Sequence, residues 1–253
     1  MKNDTLYTEQ LRSSEHPHLM MLHGWGGTLE SLRPLGALLQ EHAVVHLVDL
    51  PGFGRSSAPP SSWSTFDYAD YLISHMNQIG VKTFDLFGHS FGGKIALAIA
   101  IRYPERIRRL ILVAPSGLRR KRSLCGKMRF FCIQMIGKMI KEMDLRFATS
   151  FYASKFIPRF GSKDYQQAGA LRPILVRSVK DDYSGFLSTI QASTLLLWGE
   201  EDQETPLEMG LRLQKAISGA KLLSFPGKQH HPFAGTGAHL CAYHIQKFLS
   251  RPV

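Results

Sequence analysis

Cysteine is scarce in this chain: three in 253 residues, Cys125, Cys132 and Cys241, with no C-x-x-C pair. An odd count without an export signal reads as reduced thiols in a cytoplasmic protein, and no spacing assembles a zinc ligand set. Long apolar runs are missing too, since none approaches the roughly 20 residues a membrane span needs. The opening Met1-Lys2-Asn3-Asp4-Thr5 lacks the apolar stretch of a signal peptide. Acids are few beside bases, 20 Asp+Glu against 31 Lys+Arg, for a net charge of +11. There is no internal repeat and no low-complexity tract. What remains, 44% hydrophobic residues, is ordinary for one sizeable globular domain.

The apolar run Phe84 to Phe87 leads into Gly88-His89-Ser90-Phe91-Gly92-Gly93, and Lys94-Ile95-Ala96-Leu97-Ala98 follows. This reads as strand, sharp turn and helix with a serine at the apex, the G-x-S-x-G arrangement that lifts a hydroxyl clear of a sheet. Glycines flank the serine because strand and helix backbones pass too close there for a β-carbon. Upstream, Leu19 to Leu22 delivers His23-Gly24-Trp25-Gly26-Gly27. A glycine-rich turn after a strand can aim the Trp25 N–H at the serine, and the Phe91 N–H would complete a two-donor oxyanion hole. The same residues also read as a plain tight turn with a packed tryptophan. His23 precedes the serine and sits against the strand end, which favours a structural role.

Two downstream loops offer an acid and a base. Thr194 to Trp198 is a buried-strand run emptying into Gly199-Glu200-Glu201-Asp202-Gln203-Glu204-Thr205-Pro206. A carboxylate there can orient an imidazole. Leu222 to Phe225 makes a last strand before Pro226-Gly227-Lys228-Gln229-His230-His231-Pro232-Phe233. His230 is the better base, because a proline follows His231 and restricts its backbone.

The wider pattern alternates as a parallel α/β fold should. Strands are expected at Leu19–Leu22, Val44–Asp49, Thr83–Phe87, Ile107–Val113, Thr194–Trp198 and Lys221–Phe225. Helices are expected at about Ser31–Gln40, Phe66–Ile79, Phe91–Arg102, Glu208–Ile217 and His239–Leu249. Ser64-Thr65-Phe66-Asp67 reads as a cap on the second of these helices.

Together these motifs resemble the α/β-hydrolase superfamily, most closely small bacterial esterase-type members with an H-G-W-G-G oxyanion motif and a G-H-S-x-G-G elbow. The likeness covers nearly the whole chain. It includes Asp49-Leu50-Pro51-Gly52-Phe53-Gly54-Arg55-Ser56, the D-x-x-G-x-G-x-S loop that in the family is mainly structural and borders the site. The resemblance implies an α/β-hydrolase fold, a mostly parallel central sheet flanked by helices, with a helical cap inserted between two core strands. The expected division is a core of 1–115 and 190–253 with a cap of 116–189.

Asp202 matches the family's W-G-x-x-D spacing, which leaves Glu200, Glu201 and Glu204 as solvated loop charges. The implied triad is Ser90, Asp202 and His230, in an order unlike that of chymotrypsin-like or subtilisin-like proteases. Two departures stand out. The usual G-x-G-H or A-G-H is Gly227-Lys228-Gln229-His230 here, and the short polar N-terminus reduces the first strands to something around Thr5 to Glu9.

The implied activity is hydrolysis of a carboxylic ester through an acyl-serine, with no cofactor and no metal. A serine elbow argues against dehalogenases and epoxide hydrolases, which resemble this fold but use aspartate there. Meta-cleavage C–C bond hydrolases are the closer alternative, although they tend to carry H-G-G-G-P-G and an N-S elbow. A non-catalytic ligand receptor or scaffold is the third reading, and such proteins usually lack a triad member.

From about Ser116 to Thr189 no strand is expected, only helical patterning. This segment holds 15 Lys+Arg against 5 Asp+Glu, so most of the excess charge lies in it. Lys127, Gln134, Lys138 and Lys141 fall on one helical stripe. Met128, Phe131, Met135, Ile136, Met139 and Met143 fall on the other, where they are expected to pack on the core or line an acyl pocket. A second helix is expected around Leu171 to Lys180, closed by the turn Asp181-Asp182. The basicity, including the run Arg119-Arg120-Lys121-Arg122, has three readings. It is a solvated surface, or it steers an anionic small-molecule ester, or it makes peripheral contact with an anionic membrane. No nucleic-acid-binding motif accompanies the charge.

Overall fold

The computed structural model describes residues 5–11, 16–120 and 124–251. Among the described residues seven strands form one sheet: β1 (Thr8–Leu11), β2 (His18–Leu22), β3 (Val44–Val48), β4 (Phe84–His89), β5 (Ile107–Val113), β6 (Ser193–Gly199) and β7 (Lys221–Phe225). Their spatial order is β1-β3-β2-β4-β5-β6-β7. Only the β1–β3 pair is antiparallel; the other five pairings are parallel. The expected mostly parallel α/β architecture is therefore the observed one, and the first strand lies slightly later than Thr5–Glu9.

Central strands of such a sheet are covered on both faces, so they read as unbroken apolar runs. Every residue of β3 and β4 is buried. Alternate side chains point to opposite faces. Leu19, Met21, Val45, Leu47, Phe87, Ile111, Leu195 and Leu197 form one core with Leu32, Leu35 and Leu39 from the α1 (Arg33–Leu39) region and Ile245 and Phe248 of α9 (Gly237–Leu249). Helix α2 (Thr65–Gln78) packs on α3 (Ser90–Arg102), and α3 packs on β2, β4 and β5. The expected cap on α2 is a full capping box. Asp67 N–H donates to Ser64 Oγ at 3.2 Å, and Ser64 N–H donates to Asp67 Oδ2 at 2.6 Å.

Two compact units divide the chain, 1–119 with 177–253, and 120–176. The second unit is thus shorter at both ends than the segment 116–189 read from sequence, and 177–189 belongs with the first. Between β5 and β6 the described residues contain no strand. The elements there are α4 (Leu124–Phe147), a π-helical turn (Tyr152–Phe156), α5 (Ile157–Phe160), α6 (Lys163–Gln167) and α7 (Arg172–Lys180), which the boundary divides; α8 (Leu207–Ala216) follows β6.

Within the second unit, Gly137 lets the Tyr152–Phe156 turn approach α4, since a β-carbon there would lie 2.8 Å from Phe156 Cε1. Ile133, Gly137 and Ile140 form the inner side of α4. The Met-rich stripe does not. Met128, Phe131, Met135, Ile136, Met139 and Met143 are 46–67% exposed, so the face expected to pack inward is not the one packed within this unit. Lys121 and Arg122 of the basic run lie outside the described residues, as do the side chains of Cys125 and Lys127. No helix among the described residues is long and apolar enough to cross a membrane.

Candidate active site

Every residue of the candidate site belongs to the first unit. The strand order reverses between β2 and β4, and the loops after these strands meet at their carboxyl ends, where open α/β sheets bind ligands. Ser90 begins α3 directly after β4 with φ of +50°, a left-handed conformation that costs a non-glycine residue roughly 1–2 kcal/mol. Such strain persists only where the surroundings impose it. The elbow glycines show how: a β-carbon on Gly88 would lie 2.5 Å from the Gly92 carbonyl oxygen, and one on Gly92 would lie 2.4 Å from that of Leu22.

Gly24 brings the β2 loop against the serine, because a β-carbon there would stand 3.4 Å from Ser90 Cβ. The Phe91 N–H lies in the first turn of α3, where amides have no intrahelical partner. No carbonyl among the described residues accepts from the Trp25 N–H. Trp25 packs edge-on to Phe53 at 5.0 Å and to Phe91 at 5.1 Å, and Tyr68 meets Phe91 at 5.5 Å. Phe91, the residue after the serine, is therefore held among Trp25, Phe53 and Tyr68.

His23 is excluded as a base by its own hydrogen bonds. Leu50 N–H donates to its Nε2 at 3.0 Å, so its Nδ1 carries the proton that bonds the Gly24 carbonyl at 2.7 Å. Burial also lowers its pKa. The two nitrogens hold the His23–Gly27 loop and the Asp49–Ser56 loop in register. Asp49 completes that second loop, accepting from the Leu29 amide at 2.7 Å and the Arg55 amide at 2.8 Å.

The structure brings Asp202 and His230 together. Asp202 Oδ2 lies 2.8 Å from His230 Nδ1, and both side chains are buried. Asp202 Oδ1 accepts the N–H groups of Glu204 at 2.8 Å and Thr205 at 2.9 Å. Burial opposes the carboxylate charge, but the bonds from His230 and Thr205 outweigh it and hold the pKa below the usual value. A short side chain that bonds its own backbone two and three residues on is what distinguishes Asp202 from the nearby glutamates. Glu200 instead accepts from the Ser224 hydroxyl at 2.7 Å, and Glu201 is exposed. His231 is exposed too, against 6% exposure for His230.

Three neighbours of the pair were not legible in the sequence. Thr205 Oγ1 lies 2.9 Å from Asp202 Oδ2 and 3.1 Å from the Ala114 carbonyl oxygen. His89 Nε2 lies 2.9 Å from the His230 carbonyl oxygen, which can only accept, so that nitrogen carries a proton. Burial, then the charges of His230 and His231, push the His89 pKa well down, and the ring is neutral. Glu204 Oε2 stands 3.4 Å from His230 Nε2. Ser90 Oγ makes no hydrogen bond to that nitrogen, or to any side chain, among the described residues. Among those residues no group of three or more His, Cys, Asp or Glu could hold a metal ion.

The family model described as the alpha/beta hydrolase fold matches residues 17–128, and one described as TAP-like protein matches 169–252. A 2-hydroxy-6-oxononadienedioate/2-hydroxy-6-oxononatrienedioate hydrolase of Klebsiella pneumoniae is 30% identical over 227 residues, 81% of this chain and 77% of that one. An uncharacterized hydrolase of Bacillus subtilis, YugF, is 26% identical over 96% of this chain and 94% of its own. Among solved structures, a hydrolase from Pseudomonas aeruginosa superposes with a TM-score of 0.74 at 19% identity, covering 97% of this chain and 94% of that one.

Proposed function

Since the chain belongs to the α/β-hydrolase superfamily, we propose that it is a serine hydrolase that cleaves a carboxylic ester through an acyl-serine intermediate. The observation that carries this reading is the buried Asp202–His230 pair at 2.8 Å in the unit that also holds Ser90 in its left-handed turn. Asp202 takes the proton-bearing Nδ1, which leaves Nε2 to accept the Ser90 proton as Oγ attacks the ester carbonyl. The developing oxyanion is met by the N–H groups of Trp25 and Phe91, each donor being worth about 3 kcal/mol of transition-state stabilisation. His230 then returns the proton to the leaving alcohol. A water activated by the same nitrogen hydrolyses the acyl-serine. Every step uses side chains and amides of this chain.

A second reading has support of its own. The Klebsiella relative's name is that of a hydrolase acting on a dienedioate or trienedioate, so C–C bond cleavage is the alternative activity. The surroundings of Ser90 favour the ester. Phe91, the residue after Ser90, packs against Trp25 and Phe53, His89 lies against His230, and the charge at Nε2 is the Glu204 carboxylate. A dianionic substrate would meet repulsion there, whereas a neutral ester would not.

Assays of p-nitrophenyl esters of increasing acyl length, run beside a 2-hydroxy-6-oxo-dienoate at equal enzyme concentration, separate the two. Ester turnover without consumption of the dienoate is the expected result. Consumption of the dienoate with inert esters would transfer the assignment to C–C hydrolysis.

A further inference from the structure

Helix α4 turns outward a stripe that a water-facing helix should not have. Met128, Phe131, Met135, Ile136, Met139 and Met143 lie on one face, each at least 46% exposed. The opposite side, Ile133, Gly137 and Ile140, is already occupied by packing within the unit. Six large apolar side chains side by side in water form a contiguous patch of the kind that marks an interaction surface.

Charge identifies the partner. Residues 120–176 hold 12 Lys+Arg against 3 Asp+Glu. Arg129, Lys138, Lys141 and Arg146 all lie on α4 and all are exposed. The two acids of α4 do little to offset them: Glu142 pairs with Lys138 at 4.0 Å, and Asp144 accepts the amides of Phe151 at 3.0 Å and Tyr152 at 2.7 Å. A second copy of this chain would bring a like-charged surface against the same face, so self-association is opposed by the charges that flank the stripe. An anionic surface with an apolar interior satisfies both features at once.

We propose that the outer face of α4 is an interfacial docking surface for an anionic phospholipid bilayer. The helix would lie in the headgroup plane with its methionines and Phe131 in the acyl boundary. Its arginines and lysines have stems long enough to reach lipid phosphates from the same helix. At 24 residues α4 is about 36 Å long, enough to lie across many headgroups. It is too rich in charge to cross a bilayer. Methionine suits such a surface, since its unbranched thioether adapts to a fluid apolar partner.

The test is co-sedimentation of the full chain with vesicles of phosphatidylcholine alone and of phosphatidylcholine with added phosphatidylglycerol. Binding is expected to the phosphatidylglycerol vesicles only, and to fall as salt is added. The exposed double variants Phe131→Ser with Met139→Ser, and Lys138→Gln with Lys141→Gln, should each weaken it by about tenfold or more. Their thermal unfolding by circular dichroism should stay at the wild-type Tm. In a Phe131→Trp variant, difference spectra against the parent should show a blue shift of the added fluorescence on vesicle addition. Absence of binding, or equal binding to pure phosphatidylcholine, would overturn the proposal. So would a concentration-dependent dimer in light scattering that the Phe131→Ser, Met139→Ser variant abolishes, since a second copy would then be the occupant.

Discussion

Glu204 Oε2 stands 3.4 Å from Nε2 of His230, on the opposite side of the ring from Asp202, which lies 2.8 Å from Nδ1. The imidazole therefore has a carboxylate at each nitrogen. Asp202 is buried and held by two backbone amides, while Glu204 is 67% exposed. In the proposed mechanism its charge sits beside the nitrogen that receives the serine proton.

Glu204 should consequently discriminate by substrate charge. Glu204→Gln is expected to raise kcat/KM for an ester bearing a free carboxylate by about fivefold, the scale of one partly solvated charge acting at short range. A neutral ester of equal length should change much less. Paired assays of the two esters at low salt measure this. Equal effects on both would show that Glu204 does not face the substrate.

The loop assignments make a second set of predictions. His230→Ala and Asp202→Asn should each reduce kcat by about 10⁴, since one lacks the base and the other presents an amide to the wrong tautomer. Thr205→Val removes a hydroxyl 2.9 Å from Asp202 Oδ2 but leaves the carboxylate its two amides, so a loss of about tenfold or less is expected. His231→Ala should keep most activity. Initial rates on one p-nitrophenyl ester rank the four variants, and a dead His231→Ala would move the base by one residue.

How much of this was legible in the sequence depends on how local each determinant is. The elbow could be read because the turn dictates its glycines, and the strands because parallel pairing demands apolar runs. Asp202 and His230 stood on loops after recognisable strands, within reach of a spacing argument. Glu204 looked like one more loop acid, because its place beside Nε2 depends on two loops 26 residues apart. His89 and Thr205 likewise act through contacts with distant backbone. The α4 stripe failed for a different reason. Periodicity shows that a helix has an apolar face, but not what covers it. Here Gly137, a residue without a side chain, decides which side packs, because it lets Phe156 come close.

Acid stability offers a third prediction. His46 of β3 is 3% exposed, with Nε2 2.8 Å from Nδ1 of His18 on the neighbouring strand. Burial, then the charges of His18 and His75, push its pKa down from 6.5 to about 4. Between those values the unfolded chain binds a proton that the folded chain refuses. Stability present above pH 6.5 is therefore lost as pH falls toward about 4, by an amount on the order of 3 kcal/mol for this residue. The buried His23 and His89 shift in the same direction. Urea unfolding across this range should show a shallower pH slope in His46→Gln than in the parent. Parallel slopes would remove His46 from the account.

Everything in the proposed mechanism depends on Ser90 being the atom that bonds to the acyl group. Intact-mass analysis after incubation with a fluorophosphonate tests this directly. One adduct is expected, mapped by peptide sequencing to Ser90 and absent in a folded Ser90→Ala variant with unchanged Tm. Equal labelling of that variant, or an adduct on any other residue, would contradict the assignment.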